Sequence, residues 1–128
     1  ERYKLNGMYN EAIAEYQLAR NDPRRKGLSL LSLGQCFQKI KQYRLSASHF
    51  DEAIREIPDR DGDNKKKALY LAGRLALAMH DFDSAERHLT VLAGMDFSYR
   101  DVSALLDKVG EMRENDGSGG GGEGGPQG

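Results

Sequence analysis

The chain has 128 residues, which is enough for one domain of ordinary size, and its 30% charged residues balance to a net charge of −1. Such a balance provides no overall field that would attract nucleic acid or an anionic membrane, and no apolar run reaches the roughly 18 residues of a transmembrane helix. A single cysteine cannot form an internal disulfide, which fits a reducing compartment and favours the cytoplasm.

Residues 1–26 predict the end of one helix followed by a complete second helix. Asn6-Gly7 is the expected turn, because glycine accepts the left-handed backbone that ends a helix, and Asp22-Pro23 is expected to end the next helix. Five positions recur after 34 residues, as Tyr3/Phe37, Tyr9/Tyr43, Ala12/Ser46, Tyr16/Phe50 and Ala19/Ala53. We therefore interpret this segment as a partial repeat, and the chain as the C-terminal part of a longer array.

Residues 27–60 predict a complete helical hairpin. The apolar and small positions of its first helix are spaced for one face, at Leu30, Leu33, Gly34, Phe37 and Ile40. Those of its second helix are Tyr43, Ser46, Ala47, Phe50, Ala53, Ile54 and Ile57. The link Lys41-Gln42 is so short that the two helices must pack antiparallel, and Pro58 is expected to stop the second helix.

Residues 65–97 predict a second complete hairpin, after a polar loop. The offset is now 39 residues, as in the pairs Tyr43/Phe82 and Phe50/Leu89. The loop therefore inserts about five residues relative to the regular repeat. Asp63 or Asn64 is expected to cap the first helix of this hairpin, and Asp81 the second.

Residues 98–113 predict a terminal capping helix. Ser98 and Asp101 have the spacing of a capping box, in which a hydroxyl and a carboxylate three residues later satisfy the first amides of a helix. The apolar side chains form a single stripe, at Val102, Leu105, Leu106 and Val109. One apolar side is what a final helix needs, because nothing stacks on its other side. Residues 114–128 are mostly glycine and predict a disordered tail.

The middle hairpin resembles a tetratricopeptide repeat (TPR), a helical hairpin of about 34 residues with the signature W-x2-L-G-x2-Y, A-x3-F and P. Here the signature stands as Leu30-x2-Leu33-Gly34-x2-Phe37, then Ser46-x3-Phe50-x2-Ala53, then Pro58. Leucine replaces the large aromatic residue and serine replaces the alanine. The resemblance implies an all-α class, in which residues 1–112 form antiparallel hairpins stacked into a right-handed TPR superhelix, an α-solenoid.

The resemblance also implies a binding surface, because the first helix of each TPR lines the concave face of the superhelix. The positions concerned are Leu28, Leu31, Gln35, Gln38 and Lys39 in the middle hairpin, and Lys67, Tyr70, Arg74 and Leu77 in the next. Basic side chains beside Leu31 and Tyr70 would suit a peptide that carries acidic and apolar groups. The alternative, that the charges only solvate a helix face, stays open.

The acidic loop before the last hairpin has a partial calcium-binding pattern. Asp59, Asp61 and Asp63 have the spacing that begins an EF-hand loop. The glycine and glutamate that such a loop requires are replaced by Asn64 and Tyr70, so we expect a polar loop without metal.

The cysteine and the histidines also have structural interpretations. Cys36 has no second cysteine with which to bind metal and is expected to be buried. His49 and His88 occupy equivalent positions in two hairpins and lack the spacing of a zinc-binding helix. No nucleophile elbow, phosphate-binding loop or paired-carboxylate motif occurs, so we expect a non-enzymatic chain without a cofactor.

The sequence therefore predicts a non-catalytic scaffold that binds a peptide or partner protein through its concave groove. One alternative makes the chain a regulatory or docking appendage of an enzyme encoded upstream, such as a signalling kinase or a protease. Another is RNA binding by a related repeat of the pentatricopeptide kind. The near-neutral charge and the lack of a basic inner stripe argue against RNA.

Overall fold

The computed structural model describes residues 2–19, 21–22 and 25–115. Over these ranges the chain forms six α-helices and no strand, which confirms the all-α prediction. The helices are α1 (Arg2–Ala19), α2 (Lys26–Lys39), α3 (Tyr43–Glu56), α4 (Gly62–Ala78), α5 (Phe82–Met95) and α6 (Val102–Asn115). The chain divides into two compact units, Glu1–Ala72 and Gly73–Gly128, with the boundary inside α4.

The first hairpin, formed by α2 and α3, is held together by contacts between glycines and large side chains. A Cβ added at Gly34 would stand only 2.6 Å from the ring of Phe50. At the open end of the hairpin, a Cβ added at Gly27 would stand 2.8 Å from Cγ1 of Ile57. Phe50 and Ile57 are both fully buried. The glycines therefore let the two helices approach closely enough for these side chains to fill the space between them.

Ser46 adds a hydrogen bond where α2 and α3 come closest. Its Oγ donates to the carbonyl oxygen of Gly34 at 2.6 Å, and the pair is buried. The equivalent residue of the next hairpin, 39 positions later, is Ala85, which is also fully buried. Both hairpins thus have a small buried side chain at this position, and only the serine of the first hairpin can form a side-chain hydrogen bond there.

The second hairpin, formed by α4 and α5, repeats the same packing. A Cβ added at Gly73 would stand 2.6 Å from Cδ2 of Leu89, and Leu89 is fully buried. These two residues follow Gly34 and Phe50 by 39 positions. The second helices, α3 and α5, each contain 14 residues and begin 39 positions apart. The repeat that the sequence predicts is therefore also a repeat of helix packing.

The turns within the two hairpins share one backbone conformation. Lys41 and His80 have positive φ angles of 67° and 62°. The residues that follow them, Gln42 and Asp81, have φ/ψ angles of −93°/74° and −91°/79°. In each turn the amide of the positive-φ residue donates to the carbonyl three residues back, at 3.0 Å, and the next amide donates five residues back, at 2.8 Å. This is the Schellman motif, which satisfies carbonyl groups at a helix end.

Two predicted helix ends are confirmed. α3 ends at Glu56, and Ile57 has the extended backbone that a residue before proline favours, so Pro58 does stop the helix. Asp81 caps α5, since its carboxylate accepts a hydrogen bond of 3.3 Å from the amide of Ser84.

The turn predicted at Asn6-Gly7 is wrong. α1 runs without a break from Arg2 to Ala19, and Gly7 has a helical backbone. A glycine costs a helix interior only about 1 kcal/mol relative to alanine, and the helix formers Leu5 and Met8 flank it, so the hydrogen-bonded helix continues through Gly7. The next predicted helix end is close, because α1 stops three residues before Asp22; Pro23 lies outside the described residues.

The predicted start of α4 is also wrong, by two or three residues. The helix begins at Gly62, so Asp63 and Asn64 lie in its first turn and cannot cap it. Asp61 takes the capping position, with its carbonyl oxygen 3.0 Å from the amide of Lys65. Its side chain accepts a hydrogen bond of 2.9 Å from Asn64, which ties the first turn to the residue before it.

The capping box predicted at the start of α6 is not formed. The helix begins at Val102, so Asp101 precedes it directly and Ser98 does not. Arg100 has a positive φ of 45°, which separates Ser98 from the helical backbone. The Ser98 hydroxyl donates instead to Asp96, at 3.0 Å. The Ser98 side chain therefore bonds to Asp96, two residues earlier in the chain, and not to the first amides of α6.

α6 packs on α5 within the second unit. Val102 and Val109, from its predicted apolar stripe, are buried. At the far end of α6, the guanidinium of Arg113 lies 3.3 Å from Asp83 and 3.2 Å from Glu86. The end of α6 is thereby joined to the first turns of α5.

The last helix extends further than predicted. The glycine-rich tail was expected from residue 114, whereas α6 continues to Asn115. No glycine or proline interrupts the chain there, so the helix has no reason to stop earlier. Residues 116–128 of the predicted tail lie outside the described residues.

Candidate interaction surface

The predicted groove residues of α2 differ in exposure. Leu31 is buried and belongs to the core, Gln35 and Gln38 are half-buried, and Lys39 is exposed. Leu28, at the start of the helix, is 42% exposed. Helical spacing places these residues along one side of α2. The available surface is therefore a polar strip, made of Gln35, Gln38 and Lys39, with one apolar residue at its N-terminal end.

The predicted groove residues of α4 fall into both compact units. Lys67 and Tyr70 belong to the first unit, and Arg74 and Leu77 to the second. Lys67 and Arg74 are exposed, whereas Tyr70 and Leu77 are buried at 7% and 6% exposure. The charged positions thus lie on the surface, and the apolar positions of this helix contribute mainly to packing.

A pocket of about 250 Å³ lies between α1 and α2, in the first unit. It is lined by Glu15, Tyr16, Ala19, Arg25, Leu28, Ser29 and Ser32. The lining combines apolar side chains with three hydroxyls, one carboxylate and one guanidinium. Sequence reasoning placed Leu28 on a binding surface and assigned none of the others. The 34-residue offset made Tyr16 and Ala19 equivalents of the core residues Phe50 and Ala53, so the sequence identified them as packing positions and not as the lining of a pocket.

The pocket follows from how α1 packs. A cluster of three buried residues joins α1 to α2, namely Ile13, Leu33 and Phe37. Tyr16 packs against this cluster and is only half-buried. Tyr16 therefore has the α2 core on one side and the open pocket on the other.

Two of the three aspartates of the EF-hand-like loop, Asp59 and Asp61, are engaged by protein groups. Lys65 Nζ lies 3.2 Å from Oδ1 of Asp59, and the side chain of Asp61 accepts a hydrogen bond from Asn64. A lysine ammonium at this distance would repel a calcium ion. Across the described residues, no group of three or more His, Cys, Asp or Glu side chains could hold a metal ion.

Cys36 and His49 take part in local packing and hydrogen bonding. Cys36 is half-buried and unoxidised, and burial raises the pKa of its thiol, which makes it a poor nucleophile at neutral pH. His49 Nδ1 donates to the carbonyl oxygen of Leu45 at 2.7 Å, and its ring lies 4.9 Å from that of Phe37. His88, its equivalent in the second hairpin, is buried.

Within the described part of the chain, no helix has both the length and the apolarity needed to cross a bilayer. The chain matches no protein-family model, and comparison with curated proteins found no relative.

Proposed function

We propose that this chain is a non-catalytic, TPR-type interaction module that binds a peptide or partner protein through the polar strip of α2 and the neighbouring repeat position Lys67. The observation that carries the proposal is the recurrence of one hairpin geometry: the same turn, the same glycine contact and the same offset of 39 residues. Such recurrence is typical of repeat proteins, which use stacked hairpins to present an extended surface. A surface fixed by helix packing loses little conformational entropy on binding.

The chemistry of this surface favours an acidic, extended ligand. Lys39 and Lys67 place ammonium groups on the surface, where a carboxylate can pair with them. The half-buried amides of Gln35 and Gln38 can donate to and accept from the backbone of a peptide. A ligand with several Asp or Glu residues would use both kinds of group.

A peptide-library selection against the full chain tests this function. The peptides that it enriches are then measured against three proteins: the unchanged chain, the double variant Lys39→Glu/Lys67→Glu, and a control, Arg55→Glu/Lys108→Glu. The control makes the same change in net charge at exposed positions on α3 and α6. We expect the first double variant to bind at least about tenfold more weakly, and the control to stay within about twofold.

Two results would contradict the proposal. One is a selection that enriches no peptide. The other is a set of enriched peptides whose affinity falls equally in both double variants, because the effect would then come from net charge and not from this surface.

A further inference from the structure

The EF-hand-like loop contains an aspartate that is followed directly by a glycine, at Asp61-Gly62. The backbone nitrogen of the residue after an aspartate can attack the carbon of its side-chain carboxyl group and close a five-membered succinimide ring. Glycine favours this reaction most, because it has no Cβ that would hinder the approach of its backbone. The other two aspartates of the loop, Asp59 and Asp63, are followed by larger residues. The sequence therefore singles out Asp61 for this chemistry.

The amide of Gly62 is available for ring closure. Gly62 is the first residue of α4, and the first N–H groups of a helix have no acceptor within the helix. Among the described residues, no backbone carbonyl outside the helix accepts from it either, whereas the Asp61 amide donates to Pro58. A Cβ added at Gly62 would meet no heavy atom within 4 Å. A ring that includes this nitrogen therefore costs no backbone hydrogen bond and has room to form.

The carboxyl group of Asp61 is turned toward the first turn of α4. Its Oδ2 accepts a hydrogen bond of 2.9 Å from the side-chain amide of Asn64. The carboxyl carbon is therefore held on the side of the chain on which the helix begins, which is also the side of the Gly62 nitrogen. An N–H that donates to a carboxyl oxygen stabilises the negative charge that develops on this oxygen when the carbon is attacked. The Asn64 contact thus favours the attack.

We propose that Asp61 converts spontaneously to isoaspartate in the folded chain. The Gly62 nitrogen forms a bond to Cγ of the protonated carboxyl group, and the amide proton and the hydroxyl leave as one water molecule. A second water molecule then opens the succinimide. Cleavage of the bond from nitrogen to the side-chain carbonyl restores aspartate, and cleavage of the bond from nitrogen to the original backbone carbonyl gives isoaspartate. The reaction uses only water, and the mass of the chain is unchanged.

Isoaspartate at this position removes a contact that begins α4. The carbonyl oxygen of Asp61 accepts from the amide of Lys65 at 3.0 Å. In isoaspartate that carbonyl carbon belongs to a free carboxylate, and the main chain runs through the side-chain carbon with one additional methylene. The first turn must then shift, and with it the side chain of Lys65, which donates to the carbonyl of Ile54 at 2.6 Å. The modification therefore loosens the link between this loop and the end of α3.

Incubation of the folded full chain in water enriched in heavy oxygen tests the proposal. Each opening of the succinimide adds one heavy oxygen, and electron-transfer fragmentation after digestion in ordinary water locates it and distinguishes isoaspartate from aspartate. We expect uptake at Asp61 to exceed uptake at Asp59 and Asp63 by at least about tenfold. Asp116-Gly117 is the same dipeptide, outside the described residues, and serves as the chemical reference in each sample.

A variant and the isolated product complete the test. Gly62→Ala should fold normally, because the space beside Gly62 is open, and should slow uptake at Asp61 by at least about fivefold. Uptake at Asp116 should not change in this variant. The isoaspartate form, separated by ion exchange, should unfold at a lower urea concentration than the unchanged chain, because the first turn of α4 has lost its contact.

Three outcomes would overturn the inference. The first is uptake at Asp61 in urea but none in the folded chain, because the folded loop would then hold the carboxyl group away from the nitrogen. The second is uptake at Asp61 that Gly62→Ala leaves unchanged, because ring closure would then not depend on the glycine backbone. The third is uptake at Asp61 that yields only aspartate, because the ring would then open without lengthening the main chain.

Discussion

Lys65 Nζ donates a hydrogen bond of 2.6 Å to the carbonyl oxygen of Ile54, four residues before Pro58. In a continuing helix that carbonyl would accept from the amide of residue 58, but proline has no N–H. The lysine side chain, only 12% exposed, therefore supplies the donor that the sequence removes at the end of α3, and its charge also meets Asp59. The loop that lengthens the repeat offset from 34 to 39 is thus joined back to the preceding helix.

Replacing this lysine tests the importance of that contact. Lys65→Met keeps most of the apolar stem and removes the ammonium, so it leaves the Ile54 carbonyl without a donor and should cost about 1–2 kcal/mol of unfolding free energy. Urea denaturation of the two proteins measures the difference. Lys67→Met, at an exposed position two residues later, is the control and should change stability by less than about 0.5 kcal/mol. Equal stabilities for both variants would contradict a capping role for Lys65.

Replacing glycine with alanine should lower stability where the glycine is tightly packed and raise it where the glycine is open to solvent. Gly34→Ala and Gly73→Ala would force a Cβ to within 2.6 Å of Phe50 or Leu89, so each should destabilise the chain by about 1–3 kcal/mol. Gly110 lies in α6 with nothing within 4 Å of an added Cβ. Gly110→Ala should therefore stabilise the chain by about 0.5–1 kcal/mol, since alanine is the better helix former. Thermal unfolding of the three variants decides the matter, and a stabilising effect at Gly34 would exclude close packing there.

Packing was predictable where the sequence repeats it. Gly34 and Phe50 stand out because a missing side chain and an aromatic ring recur at fixed distances along the chain, and the only compact arrangement of two short-linked helices brings them together. The same pattern led to Tyr16 but could not show that this residue borders a pocket. The exposure of Tyr16 depends on which helices pack beside it, whereas the repeat pattern shows only that it is equivalent to Phe50.

The helix starts were harder to predict, because several residues compete for each cap. Asp61 and Asp63 are chemically equal candidates, and a turn in the preceding loop decides between them. Ser98 has a capping-box spacing, yet a hydrogen bond to Asp96 holds it outside the helix. Gly7 occupies the repeat position of the turn residue Lys41, yet it lies inside α1, because a single glycine costs a helix only about 1 kcal/mol and does not end it by itself.

Glycine at the positive-φ positions of the two hairpin turns should stabilise the folded chain. Lys41 and His80 hold left-handed backbone, where a residue with a Cβ is disfavoured by about 1 kcal/mol or more relative to glycine. Lys41→Gly and His80→Gly should each stabilise the chain by about 0.5–1 kcal/mol, after allowance for the greater freedom of glycine in the unfolded state. Lys67→Gly, at an exposed position inside α4, is the control and should destabilise the chain by about 1 kcal/mol. Calorimetry on the three variants measures these shifts, and a loss of stability at both turn positions would rule out the shared turn conformation.

The Cys36 thiol should react with an alkylating reagent at different rates in the folded and the unfolded chain. Burial raises the pKa of this thiol, and the thiolate is the form that attacks an alkylating reagent. At pH 8 the native chain should therefore react with iodoacetamide more slowly than the chain in urea, and its rate should continue to rise at pH values where the unfolded chain has levelled off. Mass spectrometry of timed samples at several pH values gives both profiles.

The raised pKa of Cys36 also predicts that the folded chain loses stability in alkaline solution. The folded chain holds the thiol proton more tightly than the unfolded chain, so the contribution of Cys36 is fully present below the pKa of the unfolded thiol and decreases as pH rises through the raised, folded pKa. Unfolding free energy should therefore fall more steeply with alkaline pH in the unchanged chain than in Cys36→Ala, which has no thiol to ionise. Parallel curves for the two proteins, together with equal alkylation profiles for the native and unfolded chain, would show that the α1–α2 core leaves the sulfur open to water.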